Sequence, residues 1–294
     1  MKITVTGSLG NISKPLTQAL VAKGHQVTVV TSSPEKADEI TALGAIPAVG
    51  SVEDQAFLNK AFSGADVVYT MIPPNFVAPN VREFMLRVGK NYAEAIKNAG
   101  VKKVVNLSSV GAHLPKGTGP IAGLHDEEQT FARLEDVDIT HLRAGFFYVN
   151  FLHNIDMVKN AGMLGSNYGG NTQIVMTHPK DIAKAAEAAI ERPFSGKNVE
   201  YVVSDKRPLA EVATVLGKAV GKPELPWVEF TDEDALTGML QSGMPREMAS
   251  RYVEMGNAVR NGSLFAHFNE ENPAITGKTK LEDFAKDFAA AYSA

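Results

Sequence analysis

From residue 6 the chain reads Thr6-Gly7-Ser8-Leu9-Gly10-Asn11-Ile12-Ser13, two glycines three apart between an alternating apolar stretch and an apolar stripe at helical spacing. That combination leaves few folds open. Lys2 to Thr6 alternates as a strand does, with Ile3 and Val5 on one face. Leu16, Ala19 and Leu20 share one face of a helix for which Ser13 suits the N-cap and Pro15 the first turn, and which Gly24 ends. Val27 to Thr31 is a second strand. Strand, glycine turn, helix and strand within about 30 residues make a βαβ unit, and its crossover closes right-handed into a parallel sheet.

The same step repeats down the chain. Helices are expected around Pro34 to Leu43, Glu53 to Phe62, Asn80 to Ala99 and near His125 to Leu134, with strands at Ile46 to Val49, Ala65 to Met71, Lys103 to Leu107 and Ile139 to Arg143. The run ADVVYTM is nearly continuous in apolar residues, as a strand covered on both faces must be. The expected class is therefore α/β: a doubly wound parallel Rossmann sheet with a smaller, mainly helical C-terminal lobe. Residues 1–150 are assigned to the sheet domain and residues 151–294 to the lobe, with some segments returning to the sheet. Asp181 to Ile190 reads as an Ala-rich helix with Asp181 as its N-cap or first-turn acid, Val199 to Val203 as a strand, and Leu209 to Val220 as a further helix.

Glycine in the first turn permits positive φ and lets the backbone approach a diphosphate, which the free N–H groups of the following helix then stabilise. Gly7, Ser8, Leu9, Gly10, Asn11 and Ile12 are thus candidates for holding the diphosphate of a dinucleotide, and Met71, Ile72 and Pro73 at the end of the fourth strand for lining it. In this turn the chain resembles the NmrA-like branch of the atypical short-chain dehydrogenase/reductase superfamily, where the motif reads T-G-x-x-G-x-x-G/S. The resemblance extends through Asn106-Leu107-Ser108-Ser109, His125 followed by acidic residues, Leu142-Arg143-Ala144-Gly145-Phe146 with Asn150, and His178-Pro179-Lys180-Asp181-Ile182-Ala183. It implies a nicotinamide cofactor and either of two roles, an NAD(P)H-dependent quinone reductase or a redox-sensing regulator that binds cofactor without turnover.

The second strand ends Thr31-Ser32-Ser33 with no carboxylate, so a 2′-phosphate would meet the Ser32 and Ser33 hydroxyls with Lys36 as counter-charge. NADP(H) is expected over NAD(H), although no Arg stands where many NADP-binding relatives carry one. The superfamily's usual acid/base pair, a Tyr with Lys four residues on, is missing: none of the seven Tyr residues has Lys at that spacing. Ser108 matches the family's serine without those partners. His125 lies roughly where the Tyr would be and is the candidate proton donor, or else a residue capping its helix. Gly145 and Phe146, followed by Tyr148, would place close backbone and flat rings against a nicotinamide and a planar acceptor, with Tyr148 a second catalytic candidate.

Composition removes other chemistries. With no Cys there are no disulfides, thiolate metal sites or cysteine nucleophiles, and the seven His residues show no metal-binding spacing. A net charge of −4 without a basic run gives no nucleic-acid surface. No stretch of about 20 uncharged apolar residues could span a bilayer. With the first strand at Lys2 leaving no room for a signal peptide, a cytoplasmic protein acting on a small molecule is expected. The expected activity is NAD(P)H-dependent hydride transfer to a quinone or similar conjugated molecule, and the alternative is a non-catalytic NAD(P)(H) sensor.

Overall fold

The structure is a computed structural model that describes residues 1–294. Along the chain run β1 (Lys2–Val5), α1 (Ser13–Ala22), β2 (Gln26–Thr31), α2 (Ala37–Ala42), β3 (Ile46–Val49), α3 (Gln55–Phe62), β4 (Val67–Thr70), α4 (Val81–Ala99), β5 (Lys103–Ser109), α5 (Ile121–Ala132) and β6 (Asp138–Ala144). There follow β7 (Phe146–Phe147), α6 (Ile155–Ala161), β8 (Leu164–Ser166), β9 (Gln173–Thr177), α7 (Pro179–Glu191), β10 (Lys197–Val202), β11 (Asp205–Pro208) and α8 (Leu209–Ala219). The chain ends with β12 (Trp227–Glu229), α9 (Asp232–Gln241), α10 (Arg246–Arg260), α11 (Ala266–Glu271) and α12 (Leu281–Ser293).

Seven strands form one parallel sheet in the order β10-β6-β5-β4-β1-β2-β3. The α/β doubly wound Rossmann class expected from the pattern is the class found. Chain order reverses between β1 and β4, and the crevice beyond the carboxyl ends of strands at such a reversal is where open α/β sheets take their ligands. One face of the sheet is sealed by α1 and α7 around Val5, Leu16, Leu20, Leu142 and Ile182, the other by α3, α4 and α5 around Phe62, Val88, Tyr92, Val104 and Phe131. A third core, with Tyr148, Phe151, Leu216, Phe284 and Phe288, belongs to the smaller lobe. No helix is long and apolar enough to cross a membrane.

Several local expectations are corrected. Ser13 is the first residue of α1 and does not cap it: its hydroxyl donates to the Thr6 carbonyl at 2.8 Å, closing the turn, and Ile12 occupies the cap position. Helix α5 begins at Ile121, so His125 lies in its second turn and caps nothing. The cap of α7 is His178, which accepts from the Lys180 N–H at 3.0 Å. Asp181 is a first-turn acid, but its buried carboxylate takes the Ser204 hydroxyl at 2.8 Å and the Thr279 N–H at 2.9 Å, tying the segment before α12 to α7.

Candidate functional site at the crest of the sheet

The turn after β1 contains two residues of left-handed backbone, Gly7 at φ +90° and Ser8 at φ +55°. Ser8 is held there by the fold: its N–H donates to the Val30 carbonyl at 3.0 Å and its hydroxyl to Thr31 Oγ1 at 2.8 Å, joining the turn to the end of β2. A Cβ on Gly7 would stand 2.6 Å from Ser13 Oγ and 2.9 Å from the Met71 side chain, so the protein itself requires this glycine. Gly10 differs. It is exposed, and the only atom within reach of an added Cβ is the Gly7 carbonyl oxygen at 3.1 Å. The N–H groups of Leu9, Asn11 and Ile12 donate to no protein acceptor, and α1 has no acid in its first turn. An open space walled by free N–H groups at a helix N-terminus fits a diphosphate.

At the β2 end, Thr31 is buried, Ser32 is exposed, and Ser33 and Lys36 are half-buried. Sequence reading missed Glu35, whose own backbone N–H and the Ser33 hydroxyl hold its carboxyl below the usual carboxylate range. Ser32 and Lys36 are the other polar candidates at this strand end. Lys14 is paired with Glu39 at 2.7 Å. At the β4 end, the Met71 N–H donates to Thr6 Oγ1 at 2.9 Å and its carbonyl accepts from Tyr92 Oη at 2.9 Å, so the rim next to the turn is rigidly tied. Ile72 is buried and Pro73 half-buried, and beyond them Phe76 and Val77 stand exposed.

The third part of the crest is polar. Ser108 of β5, Arg143 of β6 and Tyr201 of β10 are lateral neighbours in the sheet register, all on the face toward α5. The Ser108 hydroxyl donates to Glu128 Oε1 at 2.6 Å, and Arg143 grips both Glu128 oxygens at 3.0 and 2.6 Å. These three residues are buried, Ser108 at 3% exposure, so Ser108 is not open to a ligand and the partly exposed Ser109 stands at the strand end instead. One step deeper, Asn106 bonds His141 Nδ1 and the wholly buried Glu127, whose carboxyl burial pushes up to about 8. The signal for this layer was present in Asn106-Leu107-Ser108 and His141-Leu142-Arg143, where polar residues alternate toward a helix that ought to be met by apolar ones.

His125 is half-buried, and its Nδ1 lies 2.9 Å from the Ala112 carbonyl, which can only accept. Nδ1 therefore carries a proton, and Nε2 is the nitrogen without a protein partner. One expected site residue lies in the core of the smaller lobe, and two more have structural contacts of their own. Tyr148 is wholly buried in the core of the smaller lobe against Phe284, ring centroids 5.6 Å apart; its hydroxyl has no partner and burial raises its pKa, so it cannot serve a ligand at the crest. Phe146 packs on Phe151 at 5.0 Å. Gly145 is a glycine because β6 leaves the large sheet there against β9: an added Cβ would lie 2.6 Å from the Val175 carbonyl oxygen.

The fold has clear counterparts among known proteins. An NADPH-dependent quinone oxidoreductase of Escherichia coli, solved with NADPH, superposes with a TM-score of 0.82 at 22% identity over 97% of this chain and 99% of that one. Citrobacter sp. triphenylmethane reductase with NADP(H) gives a TM-score of 0.82 at 21% identity over 97% and 99%. In sequence, an uncharacterised protein of Schizosaccharomyces pombe is 24% identical over 260 residues, which is 80% of this chain and 85% of that protein. The model of the NmrA-like family matches residues 1–261, and the chain belongs to that family.

Proposed function

We propose that the protein is an NAD(P)H-dependent oxidoreductase that passes hydride to a quinone or similarly conjugated small molecule. The observation that carries this reading is the open space above Gly10, lined by unpaired N–H groups at the reversal point of the sheet. The E. coli and Citrobacter proteins, which share the fold, are named for reduction of quinones and of triphenylmethane dyes, conjugated electrophiles both. A bound nicotinamide cofactor would supply the hydride. Gly7 to Ile12 would hold its diphosphate, Met71 to Pro73 would line its middle, and His125 would hydrogen-bond the acceptor through Nε2 when the ring carries its second proton. Without a Tyr/Lys pair, acceptors whose reduced form is a stable oxyanion are favoured, because positioning is then the main task.

The test is NADPH oxidation measured against quinones, enones, aldehydes and simple ketones, with NADPH and NADP⁺ binding measured on the same sample. Quinones should be reduced and simple ketones left untouched. His125→Ala should lower kcat/KM for a quinone about 10- to 100-fold, the worth of a hydrogen bond from a charged donor, with NADPH affinity unchanged. The commitment of Ser108 to Glu128 also suits a second reading, a cofactor-binding sensor, and tight NADPH binding without turnover on any acceptor would establish it.

Cofactor choice follows from the same site. With Ser32 exposed, Lys36 four residues on and no acid at residues 31–33, NADPH is proposed to bind more tightly than NADH. Ser32→Asp should reverse the order by placing a carboxylate against the 2′-phosphate. Equal wild-type affinities for the two would show that these residues do not read that phosphate.

A further inference from the structure

Resting on the oxidoreductase reading, we propose that Tyr201 is the proton donor to the reduced acceptor, with His267 restoring its proton, and that this tertiary pair replaces the missing Tyr/Lys pair. The hydroxyl of Tyr201 and Nδ1 of His267 are 2.6 Å apart. Arg143 is the lateral neighbour of Tyr201 in the sheet. The groups are linked to His125 by a chain of contacts. His125 bonds the Ala112 carbonyl, the next residue His113 packs on His267 with ring centroids 5.4 Å apart, and His267 meets Tyr201. All four side chains belong to residues that are only partly buried, whereas Ser108, Arg143 and Glu128 beneath them are buried.

The local electrostatics suit an acid. Burial raises the Tyr201 pKa more than the Arg143 guanidinium lowers it, so the phenol keeps its proton at neutral pH. The same guanidinium is positioned to stabilise the phenolate once that proton has left. Burial, with His267 and Arg143 nearby, lowers the His113 pKa, so His113 adds little charge to this roof at neutral pH. Glu128 binds Arg143 through both oxygens and holds it in place beside the phenol.

The step balances. Hydride brings two electrons to the quinone and leaves one oxygen as an oxyanion. The Tyr201 O–H bond breaks as the acceptor O–H bond forms, and the phenolate takes a proton from Nδ1 of protonated His267, whose ring is recharged from solvent. The products are hydroquinone and oxidised cofactor, with one proton consumed. A quinone has two oxygens, so His125 and Tyr201 need not compete for the same one.

Tyr201→Phe keeps the ring contact with Phe268, at 5.3 Å, and removes only the hydroxyl. It should lower kcat about 10²-fold or more, the usual worth of general acid catalysis, with KM and NADPH affinity little changed. His267→Asn, which keeps a hydrogen-bonding partner but cannot relay a proton, should also lower kcat. As a readout free of turnover, 4-nitrophenolate should bind the NADP⁺-saturated wild type about tenfold more tightly than Tyr201→Phe, matching one lost hydrogen bond of about 1.4 kcal/mol. Quinone turnover by Tyr201→Phe at the wild-type rate, or nitrophenolate affinity equal in the two proteins, overturns the inference and leaves the oxidoreductase reading standing. A wild type that binds NADPH but reduces no acceptor overturns both.

Discussion

Gly10→Val should cost at least 100-fold in NADPH affinity, about 3 kcal/mol, while the folded protein loses no more than about 1 kcal/mol of stability. Gly10 does not have the left-handed backbone of Gly7, and an added Cβ meets one protein atom, the Gly7 carbonyl oxygen at 3.1 Å, which needs to yield only slightly. The remaining methyl groups of valine would project into the open space where the diphosphate must come within hydrogen-bond reach of the Leu9, Asn11 and Ile12 N–H groups. Gly7→Ala is the contrasting variant. Its Cβ would collide with Ser13 and Met71 at a φ that L-residues avoid, so it should damage the fold as well as the site. Fluorescence titration with NADPH, read beside thermal melting, separates the two. A folded Gly10→Val protein with wild-type NADPH affinity would show that the cofactor does not bind at this turn.

The second large effect concerns the ion pair beneath the crest. Arg143→Leu should destabilise the protein by about 3–5 kcal/mol, because the Glu128 carboxylate, at 6% exposure, loses the guanidinium that compensates its burial. Replacing both, as Arg143→Leu with Glu128→Leu, should recover much of that loss, since no unpaired charge is left inside. The recovery should be incomplete, because the Ser108 hydroxyl would lose its acceptor, at a cost of about 1–3 kcal/mol. Urea denaturation of the single and double variants provides the measurement. If the double variant is no more stable than Arg143→Leu alone, the unpaired carboxylate is not the source of the penalty.

Within the candidate site, the segments at the first glycine turn, the β2 terminus and the Met71 rim were legible in the sequence, since each lies in a few consecutive residues at the end of a strand. Of the Ser108-Ser109 pair the sequence offers Ser108, whose hydroxyl the structure commits to Glu128. Adjacent residues of a strand point to opposite faces, and the pair itself does not reveal which face receives a carboxylate. Tyr148 and Phe146 looked suited to a nicotinamide because they follow β6, yet the chain there has already turned into the core of the smaller lobe. The pairing of Tyr201 with Arg143 was invisible, because it depends on the register between β6 and β10, which join only after the chain has passed through α6, β8, β9 and α7.

By itself, then, the sequence determined the alternating α/β order, the parallel Rossmann sheet and the glycine turn after the first strand. Those follow from side-chain periodicity and from where glycine is placed, and both act over a few residues. Tertiary structure alone decided that Gly7 serves the fold while the space at Gly10 is left open, that Ser108 is committed to Glu128, and that a chain of contacts links His125, through the Ala112–His113 backbone, to His267 and Tyr201. These are properties of strand register and lobe packing, where residues distant in the chain take up or leave free one another's hydrogen-bonding groups, and no local pattern encodes which partner will arrive.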